Sequence, residues 1–395
     1  MLEPSYSDTV TLEPYQHQVG GHSVVLHYDK TTICKPLNKR EQHFYVTLPE
    51  DLKQFTAEYR GVIDVKLAEN DHGLLSFLGF RRNIKNESLL DPLSGSSSPA
   101  SSGSENELSS DTSPQKYSKQ KQRTKISFKH RGSLEISCHA DQGFESAETG
   151  KLCSHSAWGL RCHKMLVSKW RKQGQTISKF ILLENVASHF KQPCVLDLKM
   201  GTRQHGDDAS EKKQREHTAK CLSSTSSKLG VRVCGMQVYQ VDTETYISQD
   251  KYFGRSLDVD GFHDSIQQFL HNGHRVRLDL IQDIIAKLTK LKKVLKDQDS
   301  FRFYSCSLLI MYDGIESGTK IFNNNSGTYF NSAQNHKQSQ SSNGSVVVKI
   351  IDFAHTTHRG FKDDEKHYEG PDKGFILGLG NLIKAFHSVE EKCLR

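Results

Sequence analysis

Asp197 and Lys199 stand two residues apart in the apolar run PCVLDLKMG, residues 193–201. In an extended segment, residues two apart share a face. The acid and the amine then project together, while Leu196, Leu198 and Met200 turn the other way. A carboxylate beside an ammonium at the end of a buried strand suits phosphoryl transfer, where positioning and charge neutralisation dominate. The same spacing also describes a salt-bridged pair on a half-buried strand. Asp352 ends a second apolar run, IIDFAH at 350–355. An acid there can ligate Mg2+, which takes carboxylate and phosphate oxygens, or it can cap a turn.

Residues 201–220 (GTRQHGDDASEKKQREHTAK) add a run of positive charge. Ser210 has the character of a helix N-cap, and Lys213 and Lys220, seven apart, fall on one helical face. With Lys199 and Arg203 upstream, these cations could hold a polyphosphate. A solvated charged helix has the same composition. Lys35 in TICKPL could reach ATP phosphates, with Glu41 on the following helix as its anchor. The chain has no GxxxxGK[ST] loop and no HRD or DFG set, which excludes the P-loop route and an ordinary protein kinase.

The elements that must position these residues follow from periodicity. Two short strands are expected within 19–36, joined at 27–31, after a tight turn at Gly20-Gly21. A helix is expected over 39–48, strands over 59–67 and 179–186, and a hairpin from 231–241 and 246–252. Phe262, Ile266, Phe269 and Leu270 keep helical spacing, as do Leu278, Ile281, Ile284, Ile285, Leu288, Leu291 and Leu295. Apolar strands at 301–312 and 345–353 would bring Ser307 near Asp352. Two segments, 88–122 and 315–344, are rich in Ser, Asn and Gly and are expected to be disordered insertions. The order gives an α+β fold with two lobes: a small β-rich lobe over 1–186, a larger mixed lobe over 187–395, and a cleft between them.

Composition bounds the partners. The 395 residues carry 53 Lys+Arg against 46 Asp+Glu, a formal charge of +7 that suits an anionic partner. The nine cysteines are scattered without a CxxC pair, which points to a reducing compartment and gives no zinc-type spacing. The opening MLEPSYSDTV has neither the basic nor the apolar stretch of a secretory leader. No apolar run is long enough to span a bilayer. The expectation is a protein of the cytosol or nucleus, with no membrane insertion and no specific nucleic acid.

Taken together, these features resemble the inositol polyphosphate kinase family. Its P-x-x-x-D-x-K-x-G signature is met by Pro193, Asp197, Lys199 and Gly201; its S-L-L element is similar to 307–309, and its I-D-F element to 351–353. The flanks VGGH at 19–22, CKPL at 34–37, REQHFY at 40–45, LLENV at 182–186, KMGTRQHGDDAS at 199–210, GVRVCGMQVYQ at 230–240, IDFAHTT at 351–357 and GPDKGFILGLGNLI at 370–383 resemble the inositol hexakisphosphate kinase branch. The resemblance implies a fold distantly like protein kinases, with ATP between the lobes. It implies that Lys35 touches the ATP phosphates and that Glu184, Asn185 and Val186 form the adenine hinge. Asp352 would bind the magnesium of the nucleotide, with Ser307 helping. Lys199 would lie between the γ-phosphate and the inositol, and Lys213 and Lys220 would lie on the substrate helix. Residues 211–221 depart from the Ala- and Arg-richer helix of the family, which leaves a contribution from Arg215 and His217 open.

Asp197 admits two roles: general base on residue logic, ribose ligand by resemblance. A phosphate nucleophile is already ionised near neutrality, so ATP binding is the favoured one. The expected reaction converts ATP and inositol hexakisphosphate to ADP and a diphosphoinositol pentakisphosphate. The alternatives are a kinase for less phosphorylated inositols and a basic, non-catalytic anion-binding adaptor.

Overall fold

The computed structural model describes residues 9–21, 23–69, 74–81, 123–129, 134–139, 157–175, 177–316, 321–323, 328–330, 346–361, 364 and 366–395. The first half of the chain forms strands β1 (Thr9–Pro14), β2 (Leu26–Asp29), β3 (Thr32–Pro36), β4 (Tyr59–Glu69), β5 (Leu74–Phe80), β6 (Arg123–Lys129), β7 (Leu134–His139) and β8 (Ile177–Glu184). With them are helices α1 (Lys39–Val46), α2 (Glu50–Lys53) and α3 (Ala157–Gln173). The sheet runs β1-β2-β3-β8-β4-β5-β6-β7, and an additional β1–β5 pairing closes six of these strands on themselves.

The second half carries β9 (Pro193–Met200), β10 (Val231–Gln240), β11 (Thr245–Gln249), β12 (Arg302–Tyr304), β13 (Ser307–Asp313), the short pair β14 (Ile321–Asn323) and β15 (Thr328–Phe330), β16 (Val346–Ile351) and β17 (His355–Thr357). Its helices are α4 (Glu211–Leu222), α5 (Ser226–Leu229), α6 (Lys251–Ser256), α7 (Val259–Leu270), α8 (Ile281–Asp297) and α9 (Lys373–Leu394). Five strands form an antiparallel sheet in the order β11-β10-β9-β13-β16. The expected α+β character is therefore present, with β9 at the centre of the second sheet.

Short polar side chains start the helices. Asn38, Ser210, Asp250, Asp258 and Asp372 each accept a backbone N–H of the first turn of the helix that follows. Apolar faces then bury: α7, α8 and α9 pack with the second sheet through Phe262, Phe269, Leu288, Phe375 and Phe386. Their core continues into Phe44, Tyr45, Leu52 and Phe55 of the α1–α2 region and into Ile181 and Leu183 of β8. A second cluster joins the first sheet to Cys162, Val167 and Trp170 of α3. Backbone bonds also cross. The Ile350 N–H donates to Phe55 O at 2.6 Å, and Lys349 Nζ donates to the Gln54 and Thr56 carbonyls at 3.1 and 2.9 Å.

Several expectations change in detail. Residues 251–256 are helical rather than the end of a hairpin strand, because the Asp250 carboxylate accepts the N–H groups of Tyr252 and Phe253. The strand expected over 301–312 breaks at Ser305, whose φ of 59° leaves the β region. Strand β2 begins later than expected, after an irregular stretch containing Gly20. The 88–122 segment lies outside the described residues. Of 315–344, the described part includes the antiparallel β14–β15 pair. Cys34, Cys162, Cys194, Cys221, Cys234, Cys306 and Cys393 are free thiols.

Candidate active site

The β3 strand delivers Lys35 and the first turn of α1 delivers Glu41. Lys35 Nζ lies 2.9 Å from Glu41 Oε1 and 2.8 Å from Asp352 Oδ1. Burial alone would push this ammonium down; Asp352 and Glu41 outweigh it and hold it well above the ordinary lysine value. Asp352 follows β16 with a φ of 68°, a region that non-glycine residues adopt rarely and at some energetic cost. Its neighbours hold it there. The Phe353 N–H donates to Glu41 Oε1 at 3.0 Å, and the Cys306 thiol donates to the Asp352 carbonyl at 3.2 Å. The Asp352 side chain keeps 34% of its surface accessible, so this carboxylate can still meet a ligand.

Beside this triad, the register of the second sheet assembles the signature residues. Ser307 of β13 pairs with Lys199 and Leu309 pairs with Asp197, both on β9; Ser307 also pairs with Ile351, one residue before Asp352. Leu196, Leu198 and Met200 enter the core, but the opposite face is covered as well: Asp197 is 3% and Lys199 8% exposed. The pair is therefore not an exposed surface salt bridge. Burial raises the Asp197 carboxyl from 3.8 to about 6; Lys199 opposes the rise and Asp352 adds to it. The Ser307 hydroxyl favours the ionised form. Even so, Asp197 Oδ1 and Ser307 Oγ are both buried without an aligned hydrogen-bond partner among the described residues. The loop before β2 lies over this carboxylate: a Cβ on Gly20 would collide with Asp197 Oδ2.

Lys199 Nζ donates to the Ser305 carbonyl at 2.6 Å. The break at Ser305 turns that carbonyl toward the ammonium, and the Ser305 hydroxyl donates to Gln204 O at 2.8 Å. Gly201, with a φ of 89°, turns the chain out of β9. In the loop that follows, the Arg203 guanidinium pairs with Asp207 at 2.6 Å and stacks over Tyr304 at 4.2 Å. Lys213, His217 and Lys220 share the half-buried face of α4, and the His217 ring contacts Gln204 O at 3.2 Å. His355 faces this group. Burial lowers its imidazole from 6.5 to about 4, and Lys213 adds to the effect. Cations and buried oxygens thus converge from β3, β9, β13, α4 and the end of β16, an arrangement fitted to hold a phosphorylated ligand against a carboxylate.

A family model described as inositol polyphosphate kinase matches residues 180–387. Inositol hexakisphosphate kinase 1 of Mus musculus is 41% identical over 97% of this chain and 94% of its own length.

The chain belongs to the inositol polyphosphate kinase family.

Inositol hexakisphosphate kinase 3 of Mus musculus is 41% identical, covering 97% of this chain and 96% of its own length. Inositol hexakisphosphate kinase 2 of Homo sapiens is 38% identical with the same coverage, 97% and 96%. Among solved structures, an inositol phosphate multikinase of S. cerevisiae in complex with ADP and Mn2+ superposes with a TM-score of 0.41 at 22% identity, covering 55% of this chain and 85% of its own.

Within this family member, Lys35, Asp352, Asp197, Lys199 and Ser307 come together as the sequence suggests. Glu184, Asn185 and Val186 lie at the exit of β8. The Asn185 side chain is engaged structurally: it donates to Lys30 O at 3.0 Å and accepts from the Tyr15 hydroxyl at 3.0 Å. Glu184 Oε2 accepts the Glu58 N–H at 3.2 Å. Arg203 does not stand as a free cation, because Asp207 neutralises it. Sequence reasoning missed the Ser305 carbonyl, His355 and Arg232, which stands opposite Lys199 on β10. Only Arg232 had a visible signal, a cation inside the otherwise apolar VRVCG run.

Proposed function

We propose that this chain transfers the γ-phosphoryl group of ATP to a phosphate of inositol hexakisphosphate, giving ADP and a diphosphoinositol pentakisphosphate. The observation that carries the reading is the convergence of Lys35, Lys199 and Asp352 beside the lysine face of α4. An acceptor phosphate oxygen forms the new P–O bond as the bond to the ADP oxygen breaks. That oxygen is already anionic near neutrality, so no strong base is needed and Asp197 serves the nucleotide instead. Lys35 steadies the ATP phosphates, residues 184–186 receive adenine, and Lys199 lies between donor and acceptor. Lys213 and Lys220 bind acceptor phosphates.

The residues present fit a divalent ion, proposed as Mg2+. Among the described residues no three His, Cys, Asp or Glu side chains assemble a protein-only metal site. Mg2+ in phosphoryl transfer is commonly held by one or two carboxylates and the phosphates themselves. Asp352, still partly accessible, would hold it, and the unpartnered Ser307 hydroxyl stands nearby. Such an ion supplies neutralisation of phosphate charge.

The test incubates purified chain with Mg-ATP and a panel of inositol phosphates at equal concentration, resolving the products. A pyrophosphorylated product from inositol hexakisphosphate is expected. Turnover confined to less phosphorylated members would transfer the assignment to them, and no turnover on any member would overturn it.

A further inference from the structure

On the central strands, Lys199 and Arg232 stand directly opposite each other, one on β9 and one on β10. Like charges facing across a strand pair are destabilising. Both side chains are also buried, Arg232 to 9% exposure. Neither makes a carboxylate salt bridge among the described residues. Arg232 Nη1 donates to Ser226 Oγ at 2.8 Å, a neutral acceptor for a group with five N–H donors. Burial holds the guanidinium below its ordinary value, and the like charge of Arg255 acts in the same sense. The buried Asp197 carboxylate feels the Arg232 charge, but Lys199 draws on the same carboxylate, and a buried cation that shares its anion is an expensive feature unless a further anion meets it.

Its place in the fold selects what that anion is. Val231 and Val233, on either side of Arg232, enter the helical core with Met200 and Leu198. Arg232 therefore faces the other way, with Lys199, and lies beside Cys221 at the last turn of α4. Lys213 and Lys220 are on that helix, whereas Lys35 and Asp352 are associated with β3 and β16. The guanidinium sits on the acceptor side of the centre.

We propose that Arg232 binds a phosphate group of the polyphosphorylated acceptor beneath α4 and favours acceptors carrying the most phosphates. This rests on the phosphoryl-transfer reading above. The planar fork of arginine matches two phosphate oxygens at once. An acceptor without a phosphate at that point leaves the cation buried and unpaired, which penalises it.

The test measures calorimetric binding of inositol hexakisphosphate and, separately, of ATP to the full chain. Arg232→Met is expected to weaken hexakisphosphate binding about tenfold to a hundredfold, the range for a lost charge-assisted hydrogen bond, with ATP affinity within about twofold. Arg232→Lys should fall between, keeping charge but losing the fork. Steady-state discrimination between inositol hexakisphosphate and an acceptor with one phosphate fewer should narrow in Arg232→Met. Ser226→Ala removes the neutral anchor and should leave hexakisphosphate affinity within about threefold. Unchanged affinity in Arg232→Met, an equal loss for ATP, or an equal loss in Ser226→Ala would overturn the proposal. Because binding is read without turnover, a chain that binds through Arg232 but transfers nothing refutes the reaction and not this contact.

Discussion

Replacing Asp197 by Asn should stabilise the protein while impairing it. The carboxyl is buried and its pKa rises from 3.8 to about 6 on folding. The folded state therefore binds the proton more tightly than the unfolded state, and stability falls as pH rises through that window. A shift of roughly 2 units corresponds to about 3 kcal/mol of destabilisation once both states are ionised. A neutral amide at this position would carry no such penalty, so Asp197→Asn should exceed the wild type by up to about 3 kcal/mol at pH 8. The same two values leave roughly half of that margin at pH 5, where the folded-state carboxyl is mostly protonated. Urea unfolding of both proteins at the two pH values reads the difference directly, and the other titrating groups cancel between them. Activity should move the opposite way, with kcat/KM for ATP down about tenfold to a hundredfold for loss of a charged hydrogen-bond acceptor. A variant less stable than the wild type at pH 8, or a margin independent of pH, would refute the reasoning.

Lys35→Met removes the cation between two carboxylates and leaves Glu41 buried and uncompensated; the expected loss is about 3–5 kcal/mol in urea unfolding, partly recovered by adding Glu41→Leu. A single variant as stable as the wild type would contradict the triad. Asp352→Asn should abolish turnover with Mg-ATP while the unfolding midpoint stays nearly unchanged, since Glu41 still neutralises Lys35; retained turnover would remove Asp352 from metal binding. Gly20→Ala forces the loop off Asp197, so about 1–3 kcal/mol of stability should be lost; equal stability would show that the loop does not rest on that carboxylate.

The elements that hold the site were legible where local rules operate. The helix start at 210 follows from its capping side chain, and the burial of α7 and α8 follows from their apolar period. The meeting of Ser307 with Asp352 was legible too, because two apolar strands joined by an insertion form a hairpin. What escaped were features made by tertiary contact. Nothing local marks Ser305 as a break in a strand; its φ is fixed by bonds to Lys199 and Gln204. The α6 helix was hidden inside a β-like run and depends on Asp250. The strand β1 and the helix α3 carry no chemistry-bearing motif. The covering of both faces of β9 was also hidden, because alternation along one strand cannot report what packs over it.

The core shared by α1, α2, β8 and the second sheet bears on how the chain could be divided. Cutting it near residue 186 would strand Phe44, Leu52 and Phe55 on one fragment and their packing partners on the other. The second cluster stays whole within the first piece, but each piece would expose the apolar face that now covers the other, so each alone should be prone to aggregate. Produced together, the two have a large complementary apolar surface and the backbone bond from Ile350 to Phe55 to guide them. The protein is in that sense a natural fragment-complementation pair, and phosphotransfer would report reassembly.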